Sequence, residues 1–337
     1  MKKTLSLILA AILTAGTCFA MTSCGEQAEV ETETETEVET EVETETEVET
    51  EPEAEAKAYT VGICQLMKHD SLDQATNGFK DALTEALAAQ GATVEYDEQV
   101  AGDASLCTTV INTFTAKEVD LIMANATPAL LAAANATADI PVLGTSVTDY
   151  EDTFGGEIPA NVSGTSDAVP FDEQAKMMLD TLHLAEGDTV GVIYCTNESN
   201  SLLQYNQVKA YFEEAGITVE AYTFSETTEL QAVTNAAVAN CKAIYVPSDN
   251  TVAQNDTIVG NICTENNIPV FTSYGGTICY ASLAIDYYEL GRETGLMAAE
   301  VLLGTKNVSD IEIATLTPTV VYNEELCAQL GIEVPEN

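Results

Sequence analysis

Tryptophan is absent from this chain of 337 residues, histidine occurs twice, and lysine and arginine together number 11. Each shortage closes off a class of function. With 55 acidic residues the net charge is −44, which leaves no grip on the phosphates of nucleic acids. The histidines are His69 and His183, and His183 falls in a helical stretch far from any strand end. A histidine-based hydrolytic triad therefore has little support. The chain has no Gly-x-Ser-x-Gly, no P-loop, and no Gly-x-Gly-x-x-Gly after a strand. It also lacks Cys-x-x-Cys, so no metal site is expected. No cofactor or catalytic residue is expected, and the chain does not read as an enzyme.

The amino-terminal segment is rich where the rest is poor. Lys2 and Lys3 precede a nearly all-apolar run over residues 5–13, the pattern of an export signal rather than a membrane span. Met21, Thr22 and Ser23 lead to Cys24 and Gly25, which resembles a bacterial lipobox. Residues 1–23 are thus expected to be removed, and Cys24 to carry a lipid anchor outside the plasma membrane; plain cleavage after Ala20 is the alternative. Fifteen of the acids are glutamates between Glu26 and Glu55. This Glu-Thr and Glu-Val tract has no means of building a core, so residues 24–58 are read as an extended, disordered tether. From Tyr59 onward 40 acids face 8 bases, which still disfavours anionic partners. Seven cysteines remain there, an odd number, and most are read as small buried side chains.

Beyond Tyr59 a beat of strand and helix appears twice. YTVGICQL is an apolar run, followed by a helical stretch with Phe79, Leu83 and Leu87 on one face and Gly91 as its stop. VDLIMANA and IPVLGTSV read as buried strands, with TPALLAAANATAD as a helix between them. The second round repeats the first: TVGVIYC matches YTVGICQ, KAIYVPSDNT matches VDLIMANATP, and IPVFTSYG matches IPVLGTSV. NTVAQNDTIVGNICTENN reads as one helix. The fold class is therefore α/β, two doubly wound lobes with parallel sheets. Every strand ends in polar or small residues, where ligands of open parallel sheets bind. Gln65 and His69 follow the first strand, and Thr127 starts the helix after the third run. Ser146 and Thr148 end IPVLGTSV, and Ser199 and Asn200 open a helix of the second lobe. Asp249 and Asn250 end IYVP and serve either a ligand or a helix cap.

The stretches VGICQLMKHDSLDQATNGFKDAL, NVSGTSDAVPFDEQAKMML, YVPSDNTVAQN and LAIDYYELGRETGLMAAEVLLG occur in order over some 260 residues. Together they resemble the type I periplasmic-binding-protein fold, and within it the ABC-transporter substrate-binding proteins of the tryptophan and tyrosine type. The resemblance implies a three-strand hinge. Lobe one would be residues 59–163 with 285–306, and lobe two residues 164–284 with 307–337. It implies a monomer that closes on a small ligand, an aromatic amino acid first, and docks on an ABC permease. Another small solute, or a sensor or adhesin role on the same fold, is the alternative. By the same resemblance Asp249 takes the ligand ammonium. Ser166 and Asp167, in GTSD at the lobe crossing, serve ligand or hinge, as does Asp286. Tyr274 either stacks on the ligand or is a surface or core tyrosine; without tryptophan the walls come from tyrosine, phenylalanine and aliphatics.

Overall fold

The computed structural model describes residues 57–335. The expected export signal, Cys24 and residues 25–56 of the expected tether lie outside the described residues, while Ala58, read as the tether's last residue, already opens β1. The first half lays down β1 (Ala58–Gln65), α1 (Asp70–Ala88), β2 (Thr93–Val100), α2 (Ala104–Lys117), β3 (Leu121–Asn125), α3 (Thr127–Ala136), β4 (Val142–Val147), α4 (Tyr150–Phe154) and β5 (Val162–Ser166). The second continues with α5 (Phe171–Leu182), β6 (Thr189–Cys195), α6 (Ser199–Glu214), β7 (Thr218–Phe224), α7 (Leu230–Asn240) and β8 (Ala243–Val246). It ends with α8 (Asn250–Gln254), α9 (Asp256–Glu265), β9 (Val270–Thr272) and β10 (Ala281–Ala284). Then come α10 (Tyr287–Leu302), β11 (Ala314–Thr315), β12 (Thr319–Tyr322) and α11 (Glu324–Leu330).

The two sheets have orders β11-β5-β4-β3-β1-β2 and β12-β10-β9-β8-β6-β7. Each repeats the doubly wound arrangement, and all pairs are parallel except β10 with β12. The order of strand addition reverses between β1 and β3 in one lobe and between β6 and β8 in the other, so a crevice opens at the carboxyl ends there. Strand side chains alternate between two cores. In the first lobe Val61, Ile63 and Met123 meet Phe79 and Leu83 of α1 and Leu302 of α10. On the other face Cys64 and Ile122 meet Ile111, Phe114 and Leu130. The second lobe packs Tyr245 and Phe271 against Phe212 on one face, and Ile193 and Ile244 against Val259 on the other. All seven cysteines are buried and unpaired.

Three segments join the lobes: residues 167–170, 285–286 and 316–318. The tail, expected in the second lobe from residue 307, first adds β11 to the first sheet, where Ala314 and Thr315 pair with Thr165 and Ser166. Ser163 also donates to the Ile311 carbonyl at 2.8 Å. The open edge of β5 thus takes up the tail before it crosses. The stretch read as one helix over residues 250–267 is two, α8 and α9. Asn255 breaks it with a non-helical backbone, while its side chain donates to the Thr251 carbonyl at 2.8 Å. Among the described residues no helix is long and apolar enough to cross a membrane.

Candidate functional site

A narrow cavity of about 10 Å³, room for about one water molecule, lies between the lobes. Ligand pockets run from roughly 300 to 1,000 Å³, so the lobes must part to admit a ligand. His69, Ser71, Leu72, Ser146 and Asp167 reach it from the first lobe and the first crossing, and Ser248, Asp249, Asn250, Ala253 and Tyr274 from the second; Tyr287 enters from the start of α10.

Asp167 follows β5 directly, and its backbone is held by an N–H bond to the Val147 carbonyl at 3.1 Å. The Tyr287 hydroxyl donates to Asp167 Oδ2 at 3.0 Å. Asp167 Oδ1 is buried in the same cavity with no partner. Burial pushes this carboxyl above its usual range, against the pull of its hydrogen bonds. Ser146 sits at the irregular end of β4, where pairing with β5 shifts register between Gly144 and Val147. Its φ of 55° is left-handed, and its buried Oγ also lacks a partner. Next to it, at the end of β3, Ala126 has φ 88° and its N–H bonds the Thr145 carbonyl at 3.0 Å. Two strained residues side by side at strand ends mark a place where shape has been favoured over stability.

The carboxylate assigned to the ligand from sequence is already occupied. Asp249 caps α8, with Oδ1 accepting from the Val252 N–H at 2.9 Å. Its Oδ2 accepts from the Cys195 N–H at 2.7 Å and the Ser201 hydroxyl at 2.9 Å. Burial and the nearby Glu198 raise its pKa well above the carboxylate range. Glu198, also buried, accepts four bonds from the backbone and side chains of Asn250 and Thr251. Asp249 therefore borders the cavity as a cap that fixes α8.

Two side-chain bonds tie one lobe to the other. Asn250 gives its Nδ2 to Glu198 at 2.7 Å, so its Oδ1 faces His69 Nε2 at 3.2 Å and the imidazole must donate. Gln204 of α6 donates to Thr148 Oγ1 at 3.1 Å while its Oε1 accepts from the Ser248 N–H at 2.8 Å. Gln204 thus holds the lobes together and fixes a cavity wall at once. Burial lowers the His69 pKa, against the bond to Asn250 and the charges of Glu198, Asp73 and Asp70. Asp256 faces it as well.

Of the thirteen residues singled out in the sequence, His69, Ser146, Asp167, Asp249, Asn250 and Tyr274 border the cavity. The other seven do not. Gln65 spends its amide on Met67, Asp73 and Thr76 beneath α1. Thr127 is buried at the start of α3. Thr148 and Ser166 bond to each other's segment, Ser166 Oγ donating to the Thr148 carbonyl at 2.7 Å. Ser199 is exposed, and Asn200 donates to the Ser248 carbonyl at 2.8 Å. Asp286 is exposed and caps α10 through the Glu289 N–H. Sequence reading missed Ser248, Tyr287, Glu198 and Gln204. Only Ser248, beside Asp249 at a strand end, carried a visible signal. Among the described residues no cluster of His, Cys, Asp or Glu could hold a metal.

Two lobes, a three-segment hinge and a closed polar cavity between strand ends define a solute-binding protein. The model of the family described as ABC transporter substrate binding protein matches residues 60–337, and the chain belongs to that family. It is 35% identical over 286 residues to the tyrosine-binding protein of Clostridioides difficile (strain R20291), covering 82% of each chain. Among solved structures it is similar to an ABC domain from Streptococcus pneumonia in complex with L-Trp, with TM-score 0.75, 29% identity, and coverage of 83% of this chain and 97% of that one. It is also similar to the ligand-free, open structure of a substrate-binding protein with adhesive properties from Clostridium difficile, with TM-score 0.61, 34% identity, and coverage of 83% and 97%. The ligand-bound relative is the better match in shape although the open one is closer in sequence. The lobe-to-lobe bonds of His69 and Gln204 agree: the lobes stand in a closed arrangement.

Proposed function

We propose that this chain captures an aromatic amino acid between its lobes and hands it to an ABC permease, without catalysing a reaction. The carrying observation is the unpartnered Oδ1 of buried Asp167 in the narrow cavity between the lobes. A buried carboxylate without a partner is costly unless a cation supplies one, and a ligand ammonium fits. The other end of a zwitterion finds donors too. Helix α1 begins at His69 with no side-chain cap, and Ser71 and Leu72 of its first turn line the cavity near the free Ser146 hydroxyl. Open amides at a helix start favour a carboxylate. Leu72, Ala253 and the rings of Tyr274 and Tyr287 supply the apolar wall.

The chain works on the outer side of the plasma membrane, as a monomer held by lipid at Cys24. Calorimetric titration with the twenty amino acids, after unfolding and refolding to strip carried-over ligand, tests the reading. Heat from aromatic amino acids alone supports it; silence across the panel moves the ligand to another solute class. Loss of labelled amino-acid uptake on deleting the gene separates transport from a sensor or adhesin role.

Binding should weaken in acid. His69 is held below its usual pKa in the closed form, so its contribution to closure is complete above the ordinary imidazole value and is lost as pH falls through it. Asp167, raised by burial, must be ionised to take an ammonium, and acid opposes that as well. Affinity measured from about pH 7.5 to about pH 5 should fall. His69→Asn should flatten the part of the curve near the ordinary imidazole value; an unchanged profile would remove His69 from the closing step.

A further inference from the structure

We propose that the cavity reads the ring of its ligand as well as the zwitterion, with Tyr274 as the residue that separates tyrosine from phenylalanine. This inference rests on the amino-acid reading above and deepens it. Among the described residues the buried side-chain atoms without a partner include Ser146 Oγ, Asp167 Oδ1 and the Tyr274 hydroxyl, and these three residues all line the cavity. Asn125 and Asn200 also carry a partnerless oxygen but lie outside that lining. The ligand ammonium answers Asp167, and its carboxylate answers Ser146 with the first turn of α1. The Tyr274 hydroxyl is left over. Nothing in the zwitterion common to all amino acids satisfies it, so its partner belongs to the ligand side chain.

The placement fits. Asp167 follows β5 of the first sheet, and Tyr274 follows β9 of the second. The two groups therefore reach the cavity from different sheets. Tyr287 cannot take the ring's role, because its hydroxyl is spent on Asp167 at 3.0 Å. A site built to hydrogen-bond a ligand hydroxyl rejects the analogue that lacks it, since the buried group is then left unpaired. Tyrosine brings three polar groups to three open partners, and phenylalanine brings two.

The test is calorimetry on the full chain and on Tyr274→Phe, with L-tyrosine, L-phenylalanine, L-4-aminophenylalanine and L-4-fluorophenylalanine. The wild-type chain should bind tyrosine roughly tenfold to a hundredfold more tightly than phenylalanine. The amino analogue should follow tyrosine and the fluoro analogue phenylalanine. In Tyr274→Phe, tyrosine should weaken by about tenfold and phenylalanine tighten, so that their ratio approaches one. If the variant does not fold, the ligand series on the wild-type chain still decides. Equal wild-type affinities for tyrosine and phenylalanine, or a ratio unchanged in the variant, would overturn the inference. Binding of a non-aromatic amino acid alone would overturn it and the aromatic reading while leaving the zwitterion site. Silence towards every amino acid would overturn both.

Discussion

Asp167→Asn should lower affinity for an aromatic amino acid by about a hundredfold to a few thousandfold and leave the fold in place. The amide keeps the shape of the side chain, and its oxygen still accepts from the Tyr287 hydroxyl, so the hinge segment loses little. What disappears is the negative charge opposite the ligand ammonium. Removing one member of a buried charge pair costs ~3–5 kcal/mol, and each ~1.4 kcal/mol is a factor of ten in affinity. Titration calorimetry with the thermal midpoint alongside is the check. A midpoint near that of the wild type with binding gone places the ammonium at Asp167. Undiminished affinity would return the ammonium to Asp249, which would then have to receive a cation beyond the three donors it already holds.

That contest shows where sequence reading reaches and where it stops. The double strand–helix beat was legible because parallel strands buried on both faces are continuous apolar runs, and AIYV and LIMA are such runs. The ends of those strands could be named as the binding edge for the same reason. Which carboxylate there is free could not be named, because an Asp after a strand and before a helix looks the same as a cap or as a ligand partner. Only bonds from distant residues, Cys195 and Ser201, tell that Asp249 is spent. Tyr287 was hidden differently. It lies 120 residues from Asp167, at the start of a helix that returns to the first lobe, and no local pattern brings the two together. The tail was misplaced because β11 is two residues long, too short to show alternation. The single helix expected over residues 250–267 was broken by one asparagine, a tertiary effect that propensity does not register.

Gly291→Ala should cost about 3 kcal/mol of stability or more. Helices α1 and α10 touch backbone to backbone. A Cβ on Gly291 would lie 1.9 Å from the Ala75 carbonyl oxygen, and one on Gly78 would lie 2.0 Å from that of Tyr288. Neither obstacle is a side chain that can swing away, so the helices themselves must part. Overpacking of this kind costs typically ~1–3 kcal/mol and more where backbone blocks relief. At about 3 kcal/mol, and roughly 2–4 °C per kcal/mol for a large domain, the thermal midpoint should fall by about 6–12 °C. Leu296→Ala on the same helix is the control: Leu296 is 45% exposed, and a surface change there should stay within about 0.5 kcal/mol. The consequence for function follows from where the helices begin. Helix α1 starts with Ser71 and Leu72 in the cavity wall, and α10 starts with Tyr287, which holds Asp167. Spreading the seam moves the carboxylate end of the site away from the ammonium end. Gly291→Ala should therefore weaken ligand binding even at temperatures where the chain is folded, whereas Leu296→Ala should leave it unchanged. Equal affinities in the two variants would mean that the first crossing alone, and not the helix pair, sets the position of Asp167.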